Sequence, residues 1–345
     1  NVEVQLTVYS PNIVRVRIAP ATMPVSSSYA VIQDATNQFK SVADNKDSMT
    51  LTTDSLKIVV QKNPLRINFY NALGQWLDGD ASSLGVSWQG TEMTSYRKLT
   101  DDEKFIGLGE KTGPLNRRGE SYVHWNTDAP GYGLTQDPLY STMPYFMGIH
   151  TNSLFGIFFD NSYKSFFNFG GSTDNTMYFF GAEGGAINYY FLGASTVTGQ
   201  LKDYTWLTGR MQMPPLWSLG YQQCRYSYMS KQQLMDVARR MRQDSIPCDV
   251  MYCDIDYMNG YRVFTWNPKT YPDPKSMTDS LKAMGMHLVT IIDPGIKIDS
   301  NGYQPYLTGV MHHYCERYPD GTPYTGSVWE GRSHFPDFTR DEVRK

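Results

Sequence analysis

The chain has 345 residues, 40% of them hydrophobic and 19% charged, with a formal net charge of −3. That length exceeds what one core ordinarily organises, so two domains are expected. The near-neutral balance offers neither a basic stripe nor an acidic tail, and no apolar run reaches the roughly 18 residues of a membrane span, which excludes nucleic acid and a spanning segment. Aromatic residues make up 14%, including 25 Tyr and 7 Trp; such rings stack on sugar faces and also fill cores. The chain opens at Asn1 without Met or a signal-like segment, as a trimmed or mature polypeptide would.

In chain order, the first 200 or so positions read as β. Val2, Val4, Leu6 and Val8 alternate with polar residues, and Val14, Val16 and Ile18 alternate with Arg15 and Arg17. Short runs at 56–60, 65–70, 154–159, 177–180 and 187–191 follow, separated by turn clusters such as Asn71-Ala-Leu-Gly74. The pattern predicts an antiparallel β-sandwich over 1–208 with no helix in it. The character changes after Gly209-Arg-Met-Gln-Met-Pro-Pro215. A short strand is expected near 217–222, then a helix opened by a capping box at Ser230 and Gln233, with Leu234, Val237, Ala238 and Met241 on one face. A strand over 249–255, a helix carrying Met277, Leu281 and Met284, and a strand over 287–292 complete a β-α-β-α-β series. Such a series builds a parallel sheet or a barrel. A (β/α)8 barrel takes about 250 residues, so 209–345 is expected to hold only its first part; a three-stranded sheet is the alternative, with an exposed apolar edge against it. Cys224, Cys248, Cys253 and Cys315 form no CxxC pair and stand at no metal-ligand spacing, so free, mostly buried thiols are expected. His124, His287, His312 and His313 give no triad or metal pattern.

The most informative segment is Val250-Met-Tyr-Cys-Asp-Ile-Asp-Tyr257, an apolar run ending in two carboxylates. Were the strand to continue through them, Asp254 and Asp256 would share one face and Ile255 the other. Strand carboxyl ends are where ligands bind in parallel α/β folds. Solvated loop acids or a helix-capping Asp is the competing reading of the pair.

Several segments together resemble glycoside hydrolase family 31, the retaining α-glucosidases: Phe105-Ile-Gly-Leu-Gly-Glu110, Trp125-Asn-Thr-Asp128, Leu219-Gly-Tyr-Gln-Gln-Cys-Arg-Tyr226, Cys253-Asp-Ile-Asp-Tyr-Met258, Phe264-Thr-Trp266, Ile291-Ile-Asp-Pro294, and Val328-Trp-Glu-Gly331 with Phe335-Pro-Asp-Phe338. They cover nearly the whole chain in the family's order. The resemblance implies an N-terminal antiparallel β-sandwich followed by the first strands and helices of a (β/α)8 TIM-type catalytic barrel over 209–345. It implies a substrate-binding role for Asp254, whose carboxylate accepts hydroxyl protons of the sugar at the cleavage subsite. Ile255 and Ile291 become apolar walls against the ring carbons, Trp329 an aromatic platform, and Asp128 a carboxylate on a projecting loop near 125–138. The partner implied is an α-glucoside oligosaccharide; no metal and no organic cofactor is called for.

Each of these positions has a plainer reading as well. Asp128 before Ala-Pro suits a turn, Asp293-Pro294 suits a strand-end turn, and Ile255, Ile291 and Trp329 suit a core. Asp256 is read evenly as a sugar ligand or as a bonding partner of its own chain, Trp217 and Trp266 as packing, and Arg225 as one half of a buried charge pair. The family's nucleophile lies in a Trp-x-Asp-Met-Asn-Glu-like segment that this sequence does not contain, with the acid/base further on, so no catalytic residue is assigned. Glu330 also stands where the family carries Pro. The Asp-Ile-Asp-Tyr form resembles the glucosidase branch; the α-xylosidase branch carries bulk there that would exclude the hydroxymethyl group of glucose. The expected function is release of terminal α-linked glucose, with a transglycosylase, an α-glucan lyase or a non-catalytic carbohydrate-binding protein as alternatives. Linkage, oligomeric state and compartment stay open, a soluble bacterial periplasmic or secreted protein being compatible.

Overall fold

The computed structural model describes residues 2–345 except 26, 36 and 173. Two compact units divide the chain, 1–211 and 212–345. In the first, alternation becomes three antiparallel sheets. A six-stranded sheet runs in the order Val2–Ser10, Ile13–Pro20, Ile187–Leu192, Leu154–Phe159, Tyr145–Ile149, Lys104–Gly107. A five-stranded sheet runs Ser121–His124, Ser165–Asn168, Met177–Ala182, Glu92–Lys98, Val86–Gln89. The third is a meander of five consecutive strands from Ser41–Asp44 to Trp76–Gly79. Their inward faces share one core, with Val14, Val16 and Ile18 from the six-stranded sheet, Phe167 and Phe180 from the five-stranded sheet, and Ile58, Ile67 and Phe69 from the meander. The turn expected at Asn71 is present: Gly74 takes φ of 80°, and the Asn71 side chain accepts from the amides of Leu73 and Gln75 at 3.0 and 2.9 Å.

Two features depart from expectation. Arg15 and Arg17, which alternation places on the outer face, are buried: Arg15 donates to Asn188 at 2.8 Å, and Arg17 to Gln5 at 3.1 Å and to the Pro24 carbonyl. Second, Val197–Thr208 is an α-helix where none was expected. Its Thr, Val, Tyr and Trp content favours strand, but Thr196 accepts from the Gly199 amide at 3.0 Å and Gly209 ends the helix.

At the centre of the first unit lies a charged cluster. Arg97 is fully buried and bonds Asp78, Asp80 at 2.8 Å and the Tyr189 hydroxyl at 3.2 Å, while the Tyr178 hydroxyl donates to Asp78 at 3.0 Å. Burial beside these partners pushes the Asp80 carboxyl up to about 6, with Arg97 pulling the other way. These residues come from all three sheets or their immediate ends, so the cluster fixes how the sheets register on one another.

The second unit holds a parallel three-stranded sheet in the order Gln222–Gln223, Val250–Cys253, His287–Thr290. Ser230 caps helix Lys231–Gln243 by accepting from the Gln233 amide at 3.3 Å, and Gln233 returns the contact to the Met229 amide at 3.0 Å, one residue before the cap. Leu234 and Ala238 are buried against the sheet side of the core with Met277 and Leu281 of the second helix, Pro274–Ala283. The expected strand near 217–222 is a 3-10 turn, Leu216–Leu219, followed by the two-residue strand. A short antiparallel sheet, Ile296–Lys297, Gly331–His334, Gly326–Val328, follows the parallel one. Cys248, Cys253 and Cys315 are buried free thiols and Cys224 an exposed one. No helix among the described residues is long and apolar enough to cross a membrane.

Removing one member of a buried ion cluster leaves the others charged in a low dielectric. Arg97→Met is therefore expected to lower stability by about 3–5 kcal/mol, read as a shift in the urea midpoint; a loss under about 1 kcal/mol would show that the cluster does not hold the sheets together.

Candidate functional site

The parallel ladder pairs Val250 with His287 through to Cys253 with Thr290, and the Ile291 amide still donates to the Cys253 carbonyl at 3.0 Å. Both strands therefore end at one level. Beyond it the chain does not continue extended through the acids, contrary to the alternation reading. Residues Ile255–Tyr257 form a 3-10 turn, and Asp254 is its N-cap, with Oδ1 accepting from the Ile255 amide at 2.7 Å. Asp254 and Asp256 thus do not share a strand face, and the capping reading of Asp254 is correct as far as it goes. The cap occupies one carboxylate oxygen and fixes the side chain's direction; Oδ2 makes no intramolecular bond among the described residues.

Ile255, half-buried, packs against the second unit's core, and Ile291 stands 37% exposed at the end of the neighbouring strand. Tyr257 ties the two segments together by donating to the Ile291 carbonyl at 2.9 Å. Asp256 Oδ1 accepts from the Tyr261 hydroxyl at 3.2 Å, and its Oδ2 is buried without a partner. Tyr261, at φ of 59°, in turn sets its ring edge-on to Trp329 at 5.5 Å. Trp329 is 47% exposed at the tip of the hairpin joining Gly326–Val328 and Gly331–His334. The loop of Tyr261 is fastened by Arg262, which pairs with Asp299 and donates to the Asn259 carbonyl at 2.9 Å, and by Lys297 donating to the Gly260 carbonyl at 2.9 Å.

Asp254, Ile255, Ile291 and Trp329 are thus linked through Tyr257 and Tyr261, neither singled out by sequence. A Tyr just past an acidic pair, and a second after Gly260 in a strained turn, were the available signals. Glu330, where the resemblance led to an expected Pro, is buried, accepts from Ser333 at 3.1 Å and leaves Oε2 without a partner. A Cβ on Gly295 would lie 2.6 Å from its other oxygen, so the glycine lets the Glu330 carboxylate approach the backbone. Asp293 lines a cavity of about 280 Å3 with Phe264, Ile292 and Phe338, and its Oδ2 is buried without a partner. Arg225 does not form the expected buried pair: it is exposed, its guanidinium 4.9 Å from the Tyr228 ring centre, and it bonds the Ser227 carbonyl at 3.3 Å. The packing reading of Trp217 and Trp266 matches the stacking of Trp217 on His287 at 4.1 Å and the tilted contact of Trp266 with Tyr257 at 4.7 Å.

Asp128 belongs to the first unit. It is exposed in a segment without regular structure that follows strand Ser121–His124. An Asp commonly starts a turn by accepting from the amide two residues on, but that residue is Pro130, which has none. Its carboxylate makes no intramolecular bond among the described residues. The loop's far end is pinned by Asp137, which accepts from the Val123 amide at 2.5 Å and pairs with the buried Lys111 ammonium at 2.6 Å. Burial lowers the Lys111 pKa, and Asp137 opposes that shift. Where the loop begins, His124 is buried with both ring nitrogens lacking a partner. Burial, then Lys111, pushes its pKa down to about 3. No group of three or more His, Cys, Asp or Glu among the described residues is arranged to hold a metal ion.

A His whose folded pKa lies below its unfolded value binds fewer protons when folded, so the stability tied to it is lost as pH falls from about 6.5 towards about 3. His124→Leu is expected to gain on the parent chain by about 1.4 kcal/mol per pH unit between pH 6 and 4, measured by denaturant titration at each pH. A pH-independent difference would show that His124 titrates normally.

Residues 211–345 match the family described as Glycosyl hydrolases family 31 TIM-barrel domain, and residues 3–168 the Glycosyl hydrolase 31 N-terminal galactose mutarotase-like domain. Alpha-glucosidase 2 of Bacillus thermoamyloliquefaciens is 42% identical over 346 residues, covering 99% of this chain and 43% of the relative. Alpha-glucosidase of Saccharolobus solfataricus is 34% identical over 266 residues, 76% of this chain and 38% of the relative. The solved dextranase of Flavobacterium johnsoniae, complexed with isomaltotriose, superposes with a TM-score of 0.92 at 33% identity, covering 99% of this chain and 42% of that one. The chain therefore spans less than half the length of the relatives it matches.

Proposed function

The chain belongs to glycoside hydrolase family 31, an antiparallel β-sandwich unit followed by part of a TIM-type barrel, and on that premise we propose that it supplies the substrate-holding residues of a retaining α-glucosidase acting on terminal α-linked glucose. The observation that carries the proposal is the strand-end group: Asp254, Ile255 and Ile291 at the carboxyl ends of two adjacent parallel strands, joined to Trp329 through Tyr261.

Each member has a chemical task. The free oxygen of Asp254 accepts a hydroxyl proton from the sugar, in a charge-assisted bond stronger than a neutral one. The capping bond to Ile255 holds that carboxylate in place before the sugar arrives, so little entropy is lost on binding. Ile255 and Ile291 exclude water beside the ring carbons, and Trp329 offers an apolar face. Ile255, in place of a bulkier side chain, leaves room for the hydroxymethyl group of glucose.

Bond cleavage belongs to other carboxylates. A retaining enzyme needs two carboxyl groups about 5–5.5 Å apart on opposite sides of the bond: one attacks the anomeric carbon as the other protonates the departing oxygen, and water then releases the sugar with the second group as base. Asp256 does not suit either task, with one oxygen bonded to Tyr261 and the other buried. Asp254 keeps one oxygen in its cap and gives the other to a sugar hydroxyl. The chemistry uses no metal and no organic cofactor.

In the enzyme containing this chain, Asp254→Ala removes one or two charge-assisted hydrogen bonds of about 1.5–3 kcal/mol each. Hydrolysis of both maltose and isomaltose is expected to fall in kcat/KM by roughly 10- to 1,000-fold with the fold intact by circular dichroism. Unchanged kinetics on both sugars would remove Asp254 from the site.

A further inference from the structure

The hairpin that carries Trp329 has a tip of two residues. Val328 pairs with Gly331, so Trp329 and Glu330 make the turn, and a positive φ of 106° falls on Gly331 after them. Two-residue hairpin turns ordinarily draw on Gly, Asn or Asp, which hold the required backbone themselves. Trp-Glu has none of these. A Pro, the residue expected at 330, would fix the tip through its own φ. Glu330 carries no such constraint, so the backbone of the tip does not by itself settle where the indole stands.

The side chain of Glu330 supplies what the backbone lacks. It is buried, 8% exposed, next to the exposed indole. Its Oε1 accepts from the hydroxyl of Ser333, a fully buried residue that stands opposite Lys297 in the antiparallel ladder. The same oxygen occupies the space that a Cβ on Gly295 would enter. Gly295 is not in the left-handed region, so its missing side chain provides room and not backbone freedom. Residues 291–295 are the chain that leaves the parallel strand His287–Thr290. The carboxylate therefore seats the tip on the segment that also brings Ile291 to the strand end. From another side the Tyr261 ring meets the indole edge-on, and Lys297 holds the Tyr261 loop through the Gly260 carbonyl. One bond and one unpaired oxygen make Glu330 a weak stabiliser of the fold. What it contributes is position.

We propose that Glu330 is a positioning residue for Trp329, its carboxylate holding the hairpin tip against Gly295 so that the indole stands in one place before a sugar arrives. The proposal rests on the reading of Trp329 as a sugar platform, and it gives Glu330 no contact with the sugar. An indole already fixed loses less rotamer freedom on binding. Loss of Glu330 is therefore felt in substrate affinity and not in the bond-breaking step.

The test uses the enzyme containing this chain, labelled with 5-fluorotryptophan, with the Trp329 19F signal identified by its absence in Trp329→Phe. Glu330→Ala is expected to shift or broaden that signal without sugar present. It is also expected to raise KM for maltose about 3- to 10-fold, with kcat within about twofold. Glu330→Gln keeps an oxygen for Ser333 and is expected to match the parent in signal and KM. In Gly295→Ala the new Cβ pushes the carboxylate aside, and as the end of a flexible side chain it gives way with the fold intact. That variant is expected to reproduce the Glu330→Ala changes, and the double variant to be no worse than either alone. An unmoved Trp329 signal in both Glu330→Ala and Gly295→Ala would overturn the proposal. So would effects of the two that add, equal damage from Glu330→Gln, or an unchanged KM where Trp329→Phe raises it. Failure of the sugar-site reading looks different: Asp254→Ala and Trp329→Phe would leave KM unchanged, while the 19F signal would still report whether Glu330 holds the indole.

Discussion

The parallel pairing of Val250–Cys253 with His287–Thr290 sets the level at which both strands stop, and the strand-end site depends on that level. Because Cys253 lies opposite Thr290, the residues that leave the sheet on either strand, Asp254 and Ile291, emerge side by side. The last ladder bond, from the Ile291 amide to the Cys253 carbonyl, and the Tyr257 bond to the Ile291 carbonyl hold them there. A slip of one residue would exchange Ile291 for Thr290 or Ile292 beside the acid and turn each side chain to the opposite face.

The two units solve burial of charge in different ways. In the sandwich unit, Arg97 with Asp78, Asp80 and two tyrosines forms a closed cluster whose role is to align sheets. In the barrel unit, the carboxylates of Asp256, Asp293 and Glu330 each keep one buried oxygen without a partner. Such groups are costly where nothing satisfies them, and Asp256 and Asp293 each lie three residues past the last residue of a strand in the parallel pair.

Much of this was legible in the sequence, for identifiable reasons. An apolar run ending in acids marks a strand end, which located Asp254 at the carboxyl end of its parallel strand; Ile291 was singled out by the family resemblance. The capping box at Ser230 located its helix to the residue. What escaped depends on geometry that periodicity does not encode. The alternation reading failed at Asp254 because a side chain that can bond the next amide competes with continued extension. Helix Val197–Thr208 was hidden by β-favouring residues whose propensity its cap overrode. Tyr261 was missed because its importance lies in two contacts to residues 5 and 68 positions away, Asp256 and Trp329. Arg225 was misplaced because stacking on Tyr228 satisfied it at the surface.

The central claim, that the strand end holds sugar through Asp254, is tested most directly by a crystal structure of the chain with glucose or isomaltose bound. The account predicts a ring lying against Ile255 and Ile291, with at least one hydroxyl about 2.5–3.0 Å from the free oxygen of Asp254 and the cap to Ile255 intact. A sugar bound in the barrel unit with Asp254 bonded only to its own chain would contradict it.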